Sequence, residues 1–121
     1  MTFEHASGDL SGVPGSRLTD EQALAAALLA AAGAAGLSPA APPVAKSGPR
    51  GVAAILLCHG GHVSLHALPE AGRCFADVAG LGQIQPQRGL DVLAKRLGAR
   101  EMRSDARRRG PVGQPLEPER P

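Results

Sequence analysis

The sequence predicts an α+β fold, an antiparallel sheet with two helices set aside from it. Three observations lead there. Val52 to Cys58 form a continuous apolar run bounded by glycine, the length and character of a buried central strand. After a turn at His59-Gly60-Gly61, Val63, Leu65 and Ala67 alternate with His62, Ser64 and His66, the period of a strand that pairs back on the first. Two segments of helical spacing lie on either side of this hairpin and do not alternate with strands, which excludes a parallel βαβ order.

Taken in order, residues 1 to 18 are Gly-rich and predict one short strand near Ala6 to Leu10. Thr19 and Gln22 have the spacing of a capping box, and Asp20 and Glu21 complement the positive end of a helix dipole, so a helix is expected to start there. Leu24, Leu28 and Ala31 recur at helical spacing until Gly33 weakens the run and Gly36 stops it. Pro39, Pro42, Pro43, Gly48 and Pro49 then exclude a helix and leave a linker or an edge segment. A third strand is expected from Cys74 to Val78, followed by a Gly-rich loop at Gly80 and Gly82. Pro86 opens a second helix whose Leu90, Leu93 and Leu97 stripe ends at Gly98. A last strand is expected near Arg100 to Arg103. That places one domain over residues 1–103 and a disordered Pro/Arg-rich tail over 104–121.

Composition narrows the function classes. A chain of 121 residues suits one small domain, and its only aromatics are Phe3 and Phe75. A core of Ala and Leu buries less area per residue than one with rings, so self-association would help it. Scarce rings also argue against stacking readers of single-stranded nucleic acid. Net charge is +2, with the excess crowded into Arg100, Arg103, Arg107, Arg108 and Arg109. Asp105 interrupts that run and prolines follow it, which favours a solvated tail over a nucleic-acid patch. The Ala-rich stretch from Ala23 to Leu37 has an acidic flank where an export signal needs a basic one, and it is too short to cross a bilayer. With two cysteines, Cys58 and Cys74, the expectation is a reduced, cytoplasmic protein with no membrane contact.

The chemistry-bearing segment runs from Cys58 to Glu70 and holds His59, His62 and His66. As a metal site it is poor: on a strand, His62 and His66 lie about 13 Å apart, too far to share one zinc. A nucleophile with a histidine base is a second reading, since Ser64 and His66 share a face. They are about 6 to 7 Å apart along the strand, and no nucleophile elbow surrounds the serine. The third reading is an ordinary polar sheet face.

Gly60-Gly61-His62, then Val63 to His66, Pro69-Glu70, Gly72, Asp77, Leu81-Gly82 and the Pro86 helix form a longer pattern. It resembles the prokaryotic-type pyruvoyl-dependent S-adenosylmethionine decarboxylases, where the same register reads Glu-Ser-His, a strand reaching His-Thr-Trp-Pro-Glu, Tyr-Gly, Asp, a Cys-Gly loop and a Pro-led helix. Upstream, His5 and Asp9 to Val13 fall at the family's Gly-Arg-His strand and acidic turn, so the resemblance covers residues 5 to 103. It implies a two-layer sandwich with both helices on one face of the sheet, dimerising sheet to sheet. It also implies a link to spermidine biosynthesis through decarboxylated S-adenosylmethionine.

In that family the serine cleaves its own backbone and becomes a pyruvoyl group, whose ketone forms a Schiff base and accepts the carbanion's electrons. Here that position is Gly61, which has no hydroxyl. The preceding glutamate is Gly60, the proton-donor cysteine is Leu81, and the assisting serine is Ala53. His66 matches the processing histidine and Glu70 the acid that contacts the ligand ribose, with His62 beside them. Ser64 sits on a regular strand, a poor place for a cleavage that needs a strained turn. Rings expected near the ligand are replaced by Leu68, Ala71, Arg73 and Ser47. The resemblance therefore implies a non-processing, catalytically degenerate relative with no metal and no cofactor. As a homodimer, or as partner or regulator of an active paralogue, it would retain at most an S-adenosylmethionine-like ligand. The alternatives are a decarboxylase of S-adenosylmethionine or an amino acid acting by another route, and a basic-tail adaptor.

Overall fold

A computed structural model describes residues 1–110. Strand β1 (Phe3–Ser11) leads into a single helical turn, α1 (Gly15–Thr19), which sequence reasoning did not contain and which buries Leu18. Because α1 takes up Thr19, the cap of the next helix moves one residue on. Helix α2 (Glu21–Ala35) is capped by Asp20, whose carboxylate accepts from the Ala23 N–H at 3.1 Å, while the Thr19 hydroxyl donates to the Ser16 carbonyl. Gly36, in the left-handed region at φ 86°, ends it.

The Pro-rich stretch that follows yields a short edge strand, β2 (Val44–Gly48). Strands β3 (Gly51–Cys58) and β4 (Gly61–Leu68) form the expected hairpin, but its connection is only His59-Gly60, and Gly61 already belongs to β4. A 3-10 turn at Pro69–Ala71 leads to β5 (Arg73–Leu81), which is longer than expected and takes in Gly80 and Leu81. The chain turns only at Gly82, where φ is 85°. Helix α3 (Pro86–Leu97) ends at Gly98 as its sequence indicates. Strand β6 (Glu101–Arg109) runs well past Arg103, so residues 104–109 of the expected tail are strand; Gly110 follows the strand, and 111–121 lie outside the described residues. An edge strand needs only a backbone partner, and β1 supplies one along its whole length, from Phe3 opposite Arg109 to Ser11 opposite Glu101.

All six strands are antiparallel in the order β2-β3-β4-β5-β1-β6, with the helices on one face. This corrects the picture of β3 as buried on both sides. Val52, Ala54, Leu56 and Cys58 face the helices, whereas Ile55 and Leu57 are exposed on the open face. The core contains neither phenylalanine; it is built from Leu24, Leu28, Leu56, Leu90, Leu93 and a set of alanines. Small side chains compensate by letting backbones approach. At Gly89 of α3, an added Cβ would sit 3.0 Å from the Ala31 carbonyl oxygen of α2 and 3.2 Å from the Ala35 Cβ.

Two helix glycines should therefore respond oppositely to alanine. Gly33 has nothing within 4 Å of the new methyl, so Gly33→Ala should stabilise by about 0.5–1 kcal/mol through helix propensity. Gly89→Ala should instead cost about 1–3 kcal/mol by overpacking. Urea denaturation of the two variants measures both signs.

Candidate functional site

The alternation of β4 sets His62, Ser64 and His66 on the open face, and antiparallel register decides their neighbours. Across β3, β4, β5, β1 and β6, one row reads Ala53, His66, Phe75, Asp9, Arg103. The next reads Ile55, Ser64, Asp77, Ser7, Asp105, and a third Leu57, His62, Ala79, His5, Arg107. His5 and Asp77, from neighbouring rows, meet through Nε2 and Oδ1 at 2.9 Å. Sequence reasoning placed both residues in a family register but missed that they touch. Hairpin logic pairs consecutive strands, whereas β1 enters the sheet between β5 and β6.

The matched site residues divide between opposite ends of β4. At one end Gly61 pairs with Cys58 and Gly80, and the Gly60 carbonyl accepts from the Leu81 N–H at 2.8 Å, so the turn and Leu81 do come together. At the other end His66 donates from Nε2 to the Arg50 carbonyl oxygen at 2.9 Å. Close to it, Thr19, Ser47, Arg50, Leu68, Pro69 and Glu70 line a cavity of about 530 Å³. The Ser47 hydroxyl donates to Glu21 at 2.7 Å. Gly61 and His66 are about 16 Å apart at ~3.3 Å per residue, so one chain does not unite them. His62 lies near the Gly61 end, apart from Glu70.

Gly61 is closed as well as bare. A Cβ built there would lie 2.3 Å from the Ala79 carbonyl oxygen, 2.8 Å from the Gly80 Cα and 3.0 Å from a methyl of Leu37. A serine side chain at this position, from which the pyruvoyl group implied by the resemblance begins, would require the Ala79 and Gly80 backbone to shift.

Neither cysteine is an activated nucleophile. Burial pushes the Cys74 thiol up to about 12 and raises that of Cys58, so both stay protonated at neutral pH. Among the described residues, no group of three or more His, Cys, Asp or Glu side chains could hold a metal ion. No described helix is long and apolar enough to cross a membrane.

A six-stranded antiparallel sheet with its helices on one face is the fold of adenosylmethionine decarboxylases. The Aquifex aeolicus enzyme of that name superposes with a TM-score of 0.80, covering 98% of this chain and 97% of its own at 22% identity, a likeness of fold. The sequence model of S-adenosylmethionine decarboxylase matches residues 4–110, and the chain belongs to that family. An S-adenosylmethionine decarboxylase proenzyme from Anoxybacillus flavithermus is 33% identical over 69 residues, 55% of this chain and 56% of the relative. The chain thus aligns with about half the length of that curated relative.

Gly61→Ser should destabilise the fold by about 1–3 kcal/mol, because backbone atoms of β5 cannot yield as a side chain could. A shift of the urea midpoint, with unchanged slope, measures it. In the native chain, iodoacetamide at neutral pH should leave Cys58 and Cys74 unmodified, and both should react after unfolding; peptide mass mapping reads the outcome.

Proposed function

We propose that this chain is a non-processing member of the S-adenosylmethionine decarboxylase family, a structural or regulatory partner in polyamine biosynthesis, specifically spermidine formation. One observation carries the reading: at Gly61 there is neither a hydroxyl to attack the preceding carbonyl nor space for the carbon that would bear it. Leu81 and Ala53, at the positions matched to the proton donor and the assisting serine, offer no acid and no hydroxyl.

What survives is suited to holding a ligand and a partner. Glu70 and Arg50 line the cavity near His66 and present charges of both signs to a zwitterionic, S-adenosylmethionine-like molecule. The open face also exposes Leu57 at 54%, Leu81 at 50%, Phe75 at 40% and Ile55 at 38%, apolar area that sheet-to-sheet dimerisation would bury. A twofold axis between two such sheets, running across the strands, would bring the Gly61 end of one copy toward the His66 and Glu70 end of the other. The same surface would accept an active paralogue, to which this chain would contribute His66 and Glu70. A cytoplasmic setting accords with two free thiols.

Intact mass spectrometry of the purified full chain tests the central claim. A single species near 12.3 kDa, with no carbon dioxide released from carboxyl-labelled S-adenosylmethionine, is expected. Two fragments divided between Gly60 and Gly61, or release blocked by a carbonyl reagent, would refute it.

A further inference from the structure

β6 closes the sheet order and pairs only with β1, so among the described residues nothing covers its outer edge. Its nine residues are nearly all exposed, and a free edge of that length is a template for another strand. The side chains on its open face, opposite Ser11, Asp9, Ser7, His5 and Phe3, are Glu101, Arg103, Asp105, Arg107 and Arg109, the last with its guanidinium over the Phe3 ring. Their sign alternates at every second position from Glu101 to Arg107.

That alternation is self-complementary when the strand is reversed. With Ser104 of one copy opposite Ser104 of another, Glu101 falls opposite Arg107 and Arg103 opposite Asp105; the symmetry repeats both pairs. The four open-face pairs from Glu101 to Arg107 are then of opposite sign, the favourable case for cross-strand neighbours, and Arg109 passes beyond the end of the partner strand. Moving the axis to Arg103 sets that arginine on itself and Glu101 on Asp105. An axis at Asp105 sets that carboxylate on itself and Arg103 on Arg107. On the helix-side face the Ser104-centred register places Ser104 on itself and Met102 against Ala106, without bulk or charge. Arg108, which would meet Arg100 at the margin, is held by Glu4 at 3.0 Å.

We propose that β6 pairs antiparallel with β6 of a second copy, centred on Ser104, and joins two sheets edge to edge. A twofold axis perpendicular to the sheet makes the interface isologous and keeps the helices of both copies on one side. The open faces remain free, so this edge contact does not compete with sheet-to-sheet packing and does not depend on the function proposed above.

Ser104→Cys in the full chain tests the register, since Cys58 and Cys74 are buried. Mild oxidation should give a covalent dimer with Ser104→Cys and none with Met102→Cys, because position 102 faces Ala106 of the other copy, about four residues from the other position 102 in this register. The link should persist when Leu57→Asp is added to disable the open face. Arg103→Glu should weaken association at least tenfold in sedimentation equilibrium, and adding Asp105→Arg should restore it by exchanging the two signs. Association of the unmodified chain should also weaken with salt. No cross-link at Ser104→Cys, equal cross-linking at Met102→Cys, or a double exchange that fails to restore association would overturn the proposal.

Discussion

The contact on which this architecture depends is the close approach of α3 to α2 at Gly89. With no ring in the core, buried area must come from many small groups brought near one another, and dispersion falls off steeply across any gap. Gly89 against the Ala31 carbonyl and the Ala35 methyl removes that gap. The two helices thereby form one layer whose leucines, among them Leu24, Leu28, Leu90 and Leu93, reach the inward residues of the sheet. An Ala-rich helix that would be a weak amphipath alone becomes a well-buried element because its neighbour carries no side chain at the crossing.

One-sided burial has a consequence on the other side of the sheet. All the helices lie on one face, so the open face of β3, β4 and β5 keeps apolar side chains beside histidines, while β1 and β6 carry charges of both signs. The apolar part is the surface for the proposed sheet-to-sheet packing. The alternating charges from Glu101 to Arg107 are the surface for the proposed strand pairing. These are different surfaces with different physics: area removed from water in one case, backbone hydrogen bonds selected by charge in the other.

The turn between β3 and β4 is part of the packing. Gly61 and Gly80 face each other across β4 and β5, and the Leu37 side chain, arriving from the end of α2, occupies the volume that side chains on either would need. The absence of a side chain at Gly61 and the closeness of its neighbours are one structural fact. At the opposite end of β4, Glu70 and Arg50 line a cavity, so the two ends of the strand differ in openness.

Local chemistry made much of this legible in the sequence. The β3–β4 hairpin, the Pro86–Leu97 helix with its Gly98 stop, and the placement of Gly61 beside the turn with His66 and Glu70 toward the far end of β4 follow from periodicity and turn residues, and the family from a motif register, all of which act over a few residues. What depended on distant partners did not show. Thr19 lost the cap to Asp20 because α1 claimed it, and β6 extended to Arg109 because β1 pairs with it along its length. The His5–Asp77 contact needed β1 to insert between β5 and β6, and the one-sided burial of β3 needed the helices to choose a face. An apolar run specifies that a strand will form. Which of its faces meets solvent is a property of the layers around it, and those are set only when the whole chain has folded.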